Sequence, residues 1–94
     1  MFILVTYDVS TRDADGQRRL RNVARICSNH GQRVQNSVFE CKLTPAQLVQ
    51  FRGKLVEAAD LSEDSLRLYR LGRELNVEHL GAKPSLDIEG PLIV

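Results

Sequence analysis

Asp8 closes an apolar run, Phe2 to Val9 (FILVTYDV), and opens a polar loop. Acidic side chains at the carboxyl ends of strands often hold a metal or a substrate. One or two carboxylates, completed by water and phosphate oxygens, suit Mg²⁺. Such a site can activate a water against a phosphodiester. The alternative is a plain one: Asp8 caps its own loop through a local hydrogen bond. The cations that follow bear on the choice. Residues 12–33 carry Arg12, Arg18, Arg19, Arg21, Arg25 and Arg33 against Asp13 and Asp15, a local excess of +4 in a chain whose net charge is +1. Ten of the thirteen cations are arginine, whose planar fork matches phosphate. They fit an anionic polymer, or else the solvated side of a helix.

Other chemistry is poorly supplied. Asp13 and Asp15 read as helix N-terminal acids, and His30 as a helix-end cap. No His and Cys pair has zinc spacing, and neither G-x-x-x-x-G-K-[ST] nor G-x-G-x-x-G occurs, which excludes the usual nucleotide-cradling loops. Cys27 and Cys41 fall on apolar stripes and read as buried thiols. Two cysteines without C-x-x-C point to a reducing, cytoplasmic setting. Phe39 and Tyr69 could stack bases on a sheet or simply pack. The longest apolar run, Met1–Val5, is far below the ~20 residues that span a bilayer, and it lacks the flanks of a signal peptide; no membrane partner is expected.

The elements that must position these groups fit one domain over residues 1–94, with a core at 1–71 and a tail at 72–94. Phe2–Val9 is a strand, apolar on both faces. A helix over 15–29 turns Leu20, Val23, Ala24 and Cys27 to a core, with Gly31 expected as a left-handed stop. Two strands, 33–35 and 38–43, flank a turn at Asn36-Ser37. Thr44-Pro45-Ala46-Gln47 carries the signature of a capped helix start, and Leu48, Phe51, Leu55 and Ala58 make that helix's buried stripe. Ser65–Leu71 alternates as a last strand. The order predicts an α+β, ferredoxin-like βαββαβ sandwich with both helices on one face. Its other face would carry Phe2, Leu4, Thr6 and Asp8 uncovered, which calls for a second copy across a two-fold axis. In such a face-to-face homodimer the two Asp8 carboxylates would approach one another. The apolar end of the tail, 86–94, is expected to add an edge strand to its own sheet or the partner's.

Taken together, ILVTYDVS, an arginine-rich first helix, GQRVQNSVFECKL, a capped second helix and DSLRLYRL resemble the CRISPR-associated protein two family, small core proteins of CRISPR adaptation; the ending DIEGPLIV is similar to tails of one subtype. The resemblance implies a metal-dependent endonuclease acting on RNA or double-stranded DNA, with Asp8 as catalytic residue and ligand of Mg²⁺ or Mn²⁺. It implies nucleic-acid binding through Arg12, Arg18, Arg19, Arg21, Arg33 and Phe39, a homodimer whose C-terminal strands cross to the partner sheet, and a CRISPR integrase subunit as partner in spacer acquisition. A second reading is a structural DNA-binding adaptor without nuclease activity. A third, a small-ligand regulatory domain, leaves six arginines in 22 residues unexplained.

Overall fold

The structure, a computed structural model, describes residues 1–81. Its elements are β1 (Phe2–Asp8), α1 (Ala14–His30), β2 (Gly31–Gln35), β3 (Val38–Lys42), α2 (Pro45–Ala58) and β4 (Ser65–Gly72). The strands lie in the order β2-β3-β1-β4, and all neighbours are antiparallel. This is the expected ferredoxin-like βαββαβ arrangement. β1 is central, as its apolar residues on both faces require. Ile3, Val5 and Tyr7 point to the helix side with Phe39 and Cys41 of β3, and meet Val23 and Cys27 of α1 and Leu48, Phe51 and Leu55 of α2. Burial pushes the Cys27 thiol up to about 12 and the Cys41 thiol up to about 11, so both are protonated, inert core residues.

The second helix starts as its sequence demands. The Thr44 hydroxyl accepts from the Gln47 amide at 3.1 Å, and the Gln47 side chain accepts from the Thr44 amide at 2.9 Å, so two otherwise orphaned donors are satisfied. The first helix ends differently from expectation. Gly31 is extended (φ −164°), not left-handed, and is already the first residue of β2. A Cβ there would lie 2.4 Å from the Cys41 sulfur and from the Glu40 carbonyl oxygen. Glycine is needed for strand-to-strand approach, while His30 closes the helix with Nδ1 2.8 Å from the Ile26 carbonyl. The β2–β3 turn is at Asn36-Ser37, with Gln35 paired to Val38. Among the described residues no non-glycine has a positive φ, so this is not a mirror-image turn; a register shift at Val34 accommodates it.

The face away from the helices is less bare than its sequence suggests. Phe2 is buried and Leu4 half-buried. Residues 77–80, part of an irregular segment following β4, wall a groove of about 720 Å³ with Leu4, Val34, Val38 and Glu40. Glu40 is only 7% exposed there. Its Oε1 has no hydrogen-bond partner among the described residues, and burial raises its pKa. The strand expected over 86–94 lies outside the described residues. Among those described, no helix is long and apolar enough to cross a membrane.

Candidate metal centre and nucleic-acid interface

Asp8 is the last residue of β1, cross-strand from Ser65. Alternation along β1 puts it with Thr6 on the face opposite the helices. It is exposed at the rim of an open hollow of about 320 Å³ that Thr6, Ser65, Arg67 and Tyr69 also line. Its carboxylate has no hydrogen bond or ion pair among the described residues, so the local bond of a loop cap is not made.

That capping task belongs to another residue. Asp64, its side chain wholly out of solvent, accepts from the Ser10 amide at 3.1 Å, the Asp60 amide at 2.9 Å and Arg19 Nε at 2.9 Å. The Arg19 bond, foremost, holds the Asp64 carboxyl below the usual carboxylate range. Gly16 completes the clasp, since a Cβ there would lie 1.9 Å from the Ser10 carbonyl oxygen. The loop leaving Asp8 is thereby fixed between α1 and the start of β4. Asp13 caps α1, accepting from the Gly16 amide at 2.8 Å, and Asp15 pairs with Arg18 at 2.9 Å. Both acids do the helix-terminal work expected of them.

The candidate arginines divide into two groups. Arg12 pairs with Glu63 at 2.6 Å, Arg18 with Asp15, and Arg19, 16% exposed, with Asp64. Arg12 and Arg18 remain on the surface, but Arg19 is committed to the clasp. Arg21 and Arg33 have no carboxylate partner among the described residues. They line one open pocket of about 400 Å³ with Tyr7, Asn36 and Ser37. Two guanidinium groups not neutralised by any carboxylate among the described residues, beside a hydroxyl and an amide, suit a phosphate. Phe39 is not offered to a base: it is fully buried on the helix side. Its ring lies 5.0 Å beneath the Arg33 guanidinium and stacks with Tyr7 at 6.1 Å. The Phe39 position therefore supports Arg33 from below, which corrects the expectation of direct nucleic-acid contact. The Tyr7 hydroxyl donates to the Asn36 carbonyl at 3.2 Å and anchors the turn.

Several residues escaped the sequence reading. Asp64 stands in the polar stretch 60–64 with Asp60 and Glu63, and nothing in the sequence separates it from them. Arg67 is one of two arginines on β4, within a segment from Ser65 onward whose charges sum to zero, and Ser65 carries no signal of its own. Alternation did place Arg67 and Tyr69 on one face of β4. Only the β1–β4 register, with Asp8 opposite Ser65 and Thr6 opposite Arg67, puts that face beside Asp8. Among the described residues no group of three or more His, Cys, Asp or Glu could hold a metal. The donor set at Asp8 is one unpaired carboxylate beside two hydroxyls. That fits a hard cation which keeps most of its waters and does not fit a closed, all-protein cage.

Comparison with known proteins agrees with this architecture. Residues 1–77 match the family model described as CRISPR associated protein Cas2. The chain is 54% identical to the CRISPR-associated endonuclease Cas2 of Halalkalibacterium halodurans, over 99% of each protein. It is also 54% identical to the CRISPR-associated endoribonuclease Cas2 of Chlorobaculum tepidum, over the full length of both. The crystal structure of Streptococcus pyogenes Cas2 at pH 6.5 superimposes with a TM-score of 0.76 at 51% identity, covering 86% of this chain and all of that one.

Proposed function

This chain belongs to the CRISPR associated protein Cas2 family, and we propose that it is a metal-dependent endonuclease that cleaves phosphodiesters of RNA or duplex DNA. The observation that carries the reading is Asp8: an exposed carboxylate left without a protein partner among the described residues, on a strand end held by a dedicated buried clasp. Asp8 would hold Mg²⁺ or Mn²⁺, with water and substrate oxygens completing the shell. When bound, the cation supplies positive charge at a phosphoryl oxygen. The Thr6 and Ser65 hydroxyls flank the carboxylate and can orient water. Arg21 and Arg33, around the strand end on the helix side, hold a backbone phosphate and direct the polymer past Asp8. The names of the relatives, endonuclease and endoribonuclease, support the same class of reaction.

The working unit in this proposal is a homodimer formed through the face opposite the helices, with the 86–94 segments as crossing strands. Its partner is a CRISPR integrase subunit in spacer acquisition. A structural adaptor that binds DNA without cutting it is the second reading. It draws on the single carboxylate per chain and the lack of a larger acidic group among the described residues.

The deciding experiment is Asp8→Asn, which keeps the side chain's shape and removes its charge. Cleavage of RNA and of duplex DNA is followed with Mg²⁺ and with chelator, alongside sedimentation and an integrase pull-down. Metal-dependent cleavage is expected to stop while the dimer and the integrase complex persist. Cleavage at the wild-type rate in Asp8→Asn rejects the site, and a stable monomer at micromolar concentration rejects the dimer.

A further inference from the structure

The hollow that Asp8 rims has a second wall, on β4. Ser65 and Arg67 stand opposite Asp8 and Thr6 in the register, so Arg67 is the diagonal neighbour of Asp8 on the same face. Diagonal neighbours across an antiparallel pair are roughly 7–8 Å apart, and their Cβ atoms somewhat closer, near enough for an arginine to reach the carboxylate. Arg67 does not do so. Its Nη1 donates to the Tyr69 hydroxyl at 3.2 Å, and among the described residues it makes no ion pair. Tyr69 lies two residues along the same face of the same strand. An arginine and an aspartate thus line one hollow of about 320 Å³ with neither neutralising the other.

We propose that Arg67, held back by Tyr69, binds a non-bridging oxygen of the phosphodiester presented to Asp8. The inference rests on the nuclease reading and deepens it, because it assigns the substrate's phosphate a protein donor on β4. The chemistry requires such separation. A guanidinium paired to Asp8 would occupy the carboxylate that a hard cation needs and would spend its own donors. Parked on a neutral phenol, it keeps most of its five N–H groups available. A phosphate entering the hollow then meets a planar fork on one side and the acidic corner on the other. The placement also accounts for an exposed arginine–tyrosine pair on an alternating strand whose other face carries Leu66 and Leu68 against the core.

The test uses the full chain as wild type, Arg67→Gln, Arg67→Lys and Tyr69→Phe, each checked for folding by melting and for assembly by sedimentation. Binding to a short duplex DNA is titrated in chelator over a range of salt, so that this readout needs no chemistry. Arg67→Gln is expected to make the log–log salt slope shallower by about 0.9, one phosphate contact, and Arg67→Lys to keep it. In Mg²⁺, cleavage efficiency should fall about 100-fold in Arg67→Gln and about 10-fold in Arg67→Lys, where the charge remains and the fork is lost. Tyr69→Phe frees the guanidinium to fold onto Asp8, and so should raise the Mg²⁺ concentration needed for half-maximal cleavage. An unchanged salt slope in folded Arg67→Gln overturns the proposal, as does a loss confined to dimer assembly. If wild type fails to cut while the slope still falls, the nuclease reading is lost and the phosphate contact stands.

Discussion

Two arginine–aspartate couples meet the beginning of β4. Arg19 and Asp64 lie on the helix side and Arg67 and Asp8 on the opposite face, yet the first couple is locked and the second is open. Asp64 is wholly out of solvent and accepts from two backbone amides as well as from Arg19. Asp8 is exposed, and its diagonal arginine is bound to a tyrosine instead. The difference follows from desolvation. A carboxylate removed from water must have its lone pairs satisfied, so Asp64 gathers the Ser10 and Asp60 amides and Arg19 and becomes structure. A carboxylate left in water needs no such partner, and Asp8 remains available to a cation. The locked couple serves the open one, since Asp64 and Gly16 together fix Ser10, two residues beyond Asp8.

The contrast can be broken most severely at Asp64. Asp64→Ala removes the acceptor from the Ser10 and Asp60 amides and from Arg19, and should cost about 3 kcal/mol of folding stability. In a chain of this size that lowers the melting midpoint by roughly 10–20 °C, measurable by calorimetry. The sign with pH is fixed by the lowered pKa of Asp64. Its contribution is complete above the unfolded carboxyl value of about 3.9 and is lost as pH falls through the lower folded value. The midpoint of wild type should therefore drop in acid more steeply than that of Asp64→Ala; parallel curves would refute the clasp. Gly16→Ala comes next. The added Cβ collides with the Ser10 carbonyl, and displacing the loop should cost roughly 1–3 kcal/mol, read as a shifted urea midpoint. A neutral result there would mean that the loop is not held against α1.

Glu40 offers a third and opposite case, a buried carboxylate with one oxygen unpartnered among the described residues. Burial raises its pKa. The folded chain therefore favours the protonated acid, and stability falls as pH rises from the unfolded value of about 4.3 through the folded one. Glu40→Gln should relieve about 1 kcal/mol at neutral pH and flatten that part of the stability curve. A destabilised Glu40→Gln at neutral pH would refute the cost assigned to burying this charge. The smallest change in stability belongs to Asp8→Asn, whose charge has no partner among the described residues. Its midpoint should stay within about 2 °C of wild type while cleavage disappears. A large loss of stability would remove the distinction between the two couples.

Much of this was written in the local sequence. The Thr44–Gln47 capping box, the apolar stripe from Leu20 to Cys27 and the two-sided apolar strand at Phe2–Val9 each rest on neighbours within a turn or a strand, and each appears in the structure. The order of elements then left one right-handed, antiparallel arrangement with Asp8 at the end of its central strand. Gly31 misled because a glycine after a helix usually relieves a positive φ, whereas here it relieves contact with Cys41, forty-one residues into the chain. The nucleic-acid role of Phe39 comes from the family resemblance alone; its own residue pattern leaves base stacking and packing both open, and the structure packs it in the core.

The sequence by itself thus determined which residue types exist at the strand end and the period on which they face one way or the other. It determined the family, because the combination of YDV with RVQNSVFE survives without any knowledge of contacts. Only the tertiary structure decided which arginine meets which acid. That choice depends on a register between β1 and β4, on the depth at which Asp64 is buried and on the hydroxyl beside Arg67. Charges of one kind become structural or reactive according to how much water the fold leaves around them, and water is excluded by segments far apart in the chain.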